Sequence, residues 1–385
     1  MNNRIEPDES VEVNSDTTRL RRLYEHFRKR KLFWIIFFIT LIVVIIIIAA
    51  ITATMKRTKK EKISTTTTTT TTTTSEQLTS SLIIKKSMKW KQNAITIAGD
   101  NEKGNELNQL DAPQGIYIDN DDQSVYIADA GNHRIVRWKF GANNGEIVAG
   151  GNGIGWEINQ LNNPSDVVLD KKKEYLIICD QANTRVMKWS RQNNQDQQIL
   201  IHNIGCSGLA MDNNGDLYIS DWREHQVTHW KQGDTEGIVV AGGNGKGNQL
   251  NQLDGPQYIF VDEYHSVYIA DFGNKRVMKW MKDATEGTLV APGQVSGENS
   301  SSMFEPVGVV ADHMGNIYVS DVINHQIMRW SPGAIEGVPV VGEEEGGWGP
   351  TQLSRLVDLS FDRQGNLYVV DTHNDRIQKF VIVLD

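Results

Sequence analysis

Apolar and polar residues alternate in short runs along most of the chain. Six runs alternate toward a terminal Asp: "GIYID" (115–119), "DVVLD" (166–170), "GLAMD" (208–212), "YIFVD" (258–262), "GVVAD" (308–312) and "DLSFD" (358–362). After a tight turn each is followed by a second run with a central apolar or aromatic residue: "VYIAD", "YLIICD", "LYISD", "VYIAD", "IYVSD" and "LYVVD". Period-two alternation of β-branched and aromatic residues, bounded by turn residues, predicts strands. A third run ends in Trp138, Trp189, Trp230, Trp280, Trp330 or Phe380, and most copies add a fourth, such as "EIVAGG" or "GIVVAGG". Each unit therefore reads as four short strands.

Where the second run turns into the third, a ten-residue frame recurs: "DAGNHRIVRW", "DQANTRVMKW", "DWREHQVTHW", "DFGNKRVMKW", "DVINHQIMRW" and "DTHNDRIQKF". Its first Asp recurs after 51, 41, 50, 50 and 50 residues. Periods of about 40–50 residues fit the four-stranded blades of a propeller. The sixth copy stops after its third strand, at "IQKFVIVLD", whereas a spare fourth strand lies within "MKWKQNAITIAG" (88–99). Pairing residues 94–99 onto the last blade closes the ring and removes its exposed edges. The predicted fold is all-β, a six-bladed propeller over residues 88–385. The recurring aromatics are assigned to packing between blades, where a buried Trp covers about 150–250 Å².

The N-terminal part has a different pattern. Leu32–Ala53 is apolar except for Thr40 and Thr52. As a helix it is about 33 Å long, enough to cross a bilayer core of about 30 Å. It exceeds the h-region of a cleaved signal peptide, so a retained transmembrane signal anchor is expected. Seven Lys/Arg close before the span against five after it favour a cytoplasmic N-terminus. Residues 54–87 form a basic, Thr-rich stalk whose "STTTTTTTTTTS" (64–75) cannot build a core and suits O-glycosylation. The sequon "NSS" at Asn299 offers a site for N-glycosylation. The expected organisation is a cytoplasmic tail (1–31), a single membrane span (32–53), the stalk and an extracellular propeller.

Charge follows the same division. Residues 1–62 carry 13 Lys/Arg and 7 Asp/Glu, a net +6, so a total of −9 leaves −15 on the remainder. An acidic propeller argues against nucleic acid, since phosphate contacts need a basic face. Two cysteines, Cys179 and Cys206, exclude a disulfide scaffold and a four-cysteine zinc site. A single pairing and two free thiols both remain open.

Proline, apolar strand, an aromatic-centred second strand and then Asp-x-x-Asn-x-Arg together resemble the NHL repeat. The resemblance spans residues 88–385 and implies a six-bladed binding platform. Some members of that family read RNA, some mediate protein contacts, and the peptidylglycine amidating lyases are enzymes that hold zinc with histidines in the blade turns. "DVINHQI" and "DWREHQV" resemble one such turn and "DTHND" another, which makes His225, His325 and His373 an alternative metal set. The resemblance supplies no complete ligand set and no catalytic residues.

Six copies of one constellation argue for a structural frame, because catalysis needs only one. The Asp recurs as Asp129, Asp180, Asp221, Asp271, Asp321 and Asp371. The Asn recurs as Asn132, Asn183, Asn274, Asn324 and Asn374, with Glu224 in the third copy. The Arg recurs as Arg134, Arg185, Arg276 and Arg376, with Gln226 and Gln326 elsewhere. Asp and Asn suit the turn because they bond nearby amides and Asn tolerates positive φ, while Arg can pair with the Asp of its own or a neighbouring blade. "GGNGIG" (150–155) and "GGNGKG" (242–247) lack the Lys-Ser/Thr of a phosphate loop and read as connections. "DNNGD" (212–216) lacks the bidentate Glu of a calcium loop and reads as a hairpin. The variable positions are the candidate ligand contacts: His133, Trp222, Phe272, Lys275, His325 and Asp375. The expectation is a recognition module for a protein or glycan, needing no cofactor; a metal-dependent propeller enzyme is the alternative.

Overall fold

A computed structural model describes residues 88–99, 102–192, 196–293 and 305–383. The expected membrane span, the stalk and the Asn299 sequon lie outside the described residues. Among the described residues no helix is long and apolar enough to cross a membrane.

The strands form six separate four-stranded antiparallel sheets. The first blade runs through Pro113–Asp119, Ser124–Asp129, Arg134–Lys139 and Glu146–Gly150. The second spans 164–202, the third 206–242, the fourth 256–291 and the fifth 306–341. The sixth contributes Leu356–Phe361, Leu367–Asp371 and Arg376–Phe380, and its fourth strand is Ile95–Gly99 from the start of the domain. Ile95 faces Lys379 and Gly99 faces Arg376, which is the ring closure predicted from the missing last strand. Trp90 reinforces the joint: it bridges to Ile382, and its indole N–H donates to the Gly365 carbonyl at 2.9 Å.

Each interface between blades has its own apolar cluster. Five of the six aromatics that end the third strands are buried there: Trp138, Trp189, Trp280, Trp330 and Phe380. Trp230 departs from the expectation. It is half-buried at the edge of an open pocket and donates to the Thr228 hydroxyl. The third blade is also where the period shortens to 41. A disulfide joins Cys179, in the second strand of the second blade, to Cys206, in the first strand of the third. Their Cα atoms are 5.6 Å apart, within the usual range for a disulfide.

Candidate functional site

The frame residues lie at one end of every blade, in the turn from second to third strand. In the first blade Asp129 Oδ2 accepts from Asn132 Nδ2 at 2.9 Å and Arg134 Nε at 2.6 Å, while Oδ1 accepts from the Asp111 backbone N–H. Arg134 donates onward to the carbonyls of Asn105, Glu106 and Gln109. Arg, Asp and Asn thus fasten the loop that arrives from the preceding blade. The same set recurs with Asp180, Asn183 and Arg185; with Asp271, Asn274 and Arg276; and with Asp371, Asn374 and Arg376. Burial pushes the carboxyls of Asp129, Asp271 and Asp371 up, against the pull of these donors. Arg pairs with the Asp of its own blade.

The structure also accounts for the two missing arginines. The fastened loops end in a Gln-Leu whose leucines, Leu110, Leu161, Leu253 and Leu353, are fully buried. The sequence has no Gln-Leu before the third or fifth blade, where Gln226 and Gln326 stand in place of Arg. There the frame Asp also caps its own turn: Asp221 Oδ1 accepts from Arg223 and Glu224, and Asp321 Oδ1 from Ile323 and Asn324. Asn324 still donates to Asp321 Oδ2 at 2.8 Å.

Positive φ falls not on the frame Asn but on the residue after it. His133, Thr184, His225, Lys275, His325 and Asp375 all adopt the left-handed conformation, with φ between 48° and 55°. Four of their side chains reach into the next blade. His133 Nδ1 accepts from the Asn163 N–H at 3.0 Å, His225 Nδ1 from Gly255 at 2.9 Å and His325 Nδ1 from Arg355 at 3.3 Å. Asp375 Oδ1 accepts from Ala112 at 2.7 Å. Each of these donors is itself in the left-handed region, immediately before an inner strand. An accepting Nδ1 carries no proton, so in the neutral ring the proton sits on Nε2. His133, His225 and His325 therefore offer Nε2–H donors, not lone pairs, to anything beyond the ring. Among the described residues, His225, His325 and His373 do not come together as a metal-ligating group.

A pocket of about 560 Å³ opens on this end of the ring. Phe272 from the fourth blade, His325 from the fifth and His373 from the sixth share its wall with Arg355, Gln257 and Glu305. Trp222 and Lys275 are exposed outside this wall, and Asp375 is buried and lines a smaller neighbouring pocket. Below the wall the channel is filled: Tyr258, Val307 and Val357 form an apolar cluster, and Tyr258 donates to the Ser165 carbonyl at 2.7 Å. Two carboxyls are enclosed with it. Asp166 accepts from the Leu209 N–H and Asp358 from Ile116, tying inner strands of adjacent blades. Burial raises both, Asp358 to about 7 and Asp166 well above its ordinary value, the latter also through the charge of Asp358. The repeat pattern singles out Phe272, His325 and His373 one by one; Arg355 and Gln257 escape it, because they sit outside the repeating frame.

The NHL repeat profile matches residues 110–138, which covers the first three strands of the first blade and the end of the loop before it. No curated protein matches the sequence. Solved structures match the propeller at low identity. An auxiliary nutrient binding protein from Bacteroides thetaiotaomicron is 15% identical with a TM-score of 0.58, covering 75% of this chain and 76% of that one. Its counterpart from Bacteroides ovatus is 14% identical with a TM-score of 0.56, covering 76% of each. A gluconolactonase from Xanthomonas campestris is 12% identical with a TM-score of 0.53, covering 75% of this chain and 97% of that one. Binding proteins and an enzyme share this fold, so the fold alone does not decide the chemistry. Residues 110–138 therefore carry an NHL repeat, and five further copies of its frame close with it into a six-bladed β-propeller.

Proposed function

We propose that the chain is a membrane-anchored recognition module that holds its propeller outside the cell and takes a protein or glycan ligand on the frame end. The observation that carries the reading is the wall formed by Phe272, His325 and His373, three variable residues from three blades that meet around one concavity. Phe272 offers an apolar face, Gln114 and Gln257 offer amides, Arg355 and the Nε2–H of His325 donate, and Glu305 accepts. An apolar surface with a few convergent polar groups suits a polar ligand with a flat face, such as a sugar ring or a peptide end. The nutrient-binding neighbours use the same fold for capture, which agrees with this reading. The disulfide suits an oxidising compartment, and the Thr-rich stalk suits O-glycosylation outside the cell. The enzymatic alternative is disfavoured by the Nε2–H state of His225 and His325, which leaves them without a lone pair for zinc.

The test is a screen of the full chain against soluble glycan and peptide panels. A ligand bound there should lose at least tenfold in affinity with Phe272→Ala or Arg355→Ala while the unliganded melting temperature holds. Binding indifferent to both substitutions would reject the site. Protease added to intact cells should cut in the stalk and release the propeller; a protected propeller would reject the extracellular placement.

A further inference from the structure

The opposite end of the blades carries a second constellation, and the repeat itself supplies its control. At this end the Asp that closes the first strand pairs with the lysine of the third strand in the fourth and sixth blades, Asp262 with Lys279 at 3.3 Å and Asp362 with Lys379 at 3.4 Å. In the fourth, fifth and sixth blades the basic residue at that place is Lys279, Arg329 or Lys379. The last residue of the intervening hairpin is neutral there: Ser266, Asn316 or Asn366. In those blades the Asp Oδ2 is fully engaged. Asp312 takes Asn316 and the Tyr318 hydroxyl, Asp362 takes Asn366, Tyr368 and Lys379, and Asp262 takes Lys279.

The third blade changes both partners. The permanent cation becomes His229 and the neutral residue becomes Asp216, so one cation is lost and one anion gained around Asp212. The donor atoms of Asp212, Asp216 and His229 lie within 4.8 Å of one another, with His229 Nε2 at 3.1 Å from Asp216 Oδ2. Asp212 is 8% exposed, and its Oδ2 receives no hydrogen bond. That oxygen sits 2.8 Å from Nδ1 of His265, which comes from the fourth blade. His265 occupies the place of Gly215, Gly315 and Gly365 and adopts φ 60° without being glycine. All four side chains line one pocket of about 390 Å³.

We propose that Asp212, Asp216 and His229, completed by His265 across the blade boundary, bind a divalent transition-metal ion of the zinc class. Two donors about 2 Å from a tetrahedral ion are about 3.3 Å apart, and two pairs stand near that spacing, His229 Nε2 with Asp216 Oδ2 at 3.1 Å and His265 Nδ1 with Asp212 Oδ2 at 2.8 Å. Mixed imidazole and carboxylate ligands suit such an ion better than calcium or magnesium, which take oxygen alone. The site is independent of the frame-end pocket, and it would clasp the third blade to the fourth.

The experiment is a titration of the tag-free full chain, stripped with chelator, against Zn²⁺ alone. It is read by metal content after dialysis and by the melting temperature. One equivalent should be retained, and at a free concentration of 100 times the dissociation constant the melting temperature should rise by roughly 3–8 °C. The pair Asp216→Asn with His229→Lys rebuilds the arrangement of the sixth blade, so it should fold, and it should bind zinc at least 100-fold more weakly. His265→Gly restores the common hairpin residue and should raise the metal-free melting temperature while weakening zinc about tenfold. A wild-type chain that keeps no zinc and shows no rise overturns the proposal. So does a rise that survives the Asn/Lys pair, which would put the ion elsewhere.

Discussion

The joint between the first and second blades and the joint between the second and third solve one problem in two ways. At the first joint a loop of residues 155–161 arrives, Leu161 plugs the core, and Arg185 holds the carbonyls of Trp156, Glu157 and Gln160 while paired to Asp180. His133 adds its bond to Asn163. At the second joint the connection is short, Gln226 replaces Arg, Thr184 replaces His, and Asp221 accepts from Gly205 directly. Cys179–Cys206 spans that joint instead. The frame is therefore an adaptable clasp: its Asp and its turn persist, while Arg and the latch residue follow the loop they serve. Variation at a repeat position need not mean ligand recognition.

The largest expected effect breaks the first clasp. Arg185→Ala leaves the buried Asp180 without its cation and three carbonyls without donors, and such losses cost about 3–5 kcal/mol. At roughly 1–3 °C per kcal/mol in a domain of about 300 residues, a thermal melt resolves the loss easily. Gln226→Ala, at the equivalent place without a loop, should cost under about 1 kcal/mol. Equal losses at the two positions would refute the idea that Arg is tied to the loop.

The second joint is tested through its covalent bond. Cys179 and Cys206 are separated by 27 residues, and closing a loop of that size is worth about 3–4 kcal/mol in the chain-entropy account. The Cys179→Ala, Cys206→Ala pair should lower the melting temperature under non-reducing conditions and match reduced wild type. Two titratable thiols in the unfolded, unreduced chain would show that this joint has no such clasp.

How much of this is legible in the sequence depends on how local the cause is. Six blades, the ring closure by residues 94–99 and the structural nature of Asp129, Asn132 and Arg134 follow from period and pattern, because each repeat states them again. The pattern points to Asn for the left-handed place, since Asn is the usual tolerant residue; only the backbone shows that His133 or Asp375 bears it. The role of those side chains is hidden for a different reason. Their partners, Asn163 and Ala112, lie 30 and 263 positions away. His265 is hidden likewise, because its hairpin belongs to the blade after the one it serves. Phe272, His325 and His373 stand out as departures from the repeat, but nothing in the chain announces that three blades bring them to one wall.

The smallest effect separates the latch from the ligand. His133→Ala removes one acceptor from a half-buried N–H, a loss of about 1 kcal/mol. His133→Asn, which retains a side-chain acceptor and tolerates positive φ, should recover part of it. Lys275→Ala changes a residue whose side chain is exposed and should stay within about 0.5 kcal/mol. The ordering matters more than any single value. If His133 and Lys275 prove equally neutral in thermal melts, the alternating histidines owe nothing to the joints they span. If His133→Ala is costly and His133→Asn is not, the three histidines on alternate blades, His133, His225 and His325, are accounted for as acceptors at three joints, and the search for a ligand narrows to the wall they leave open.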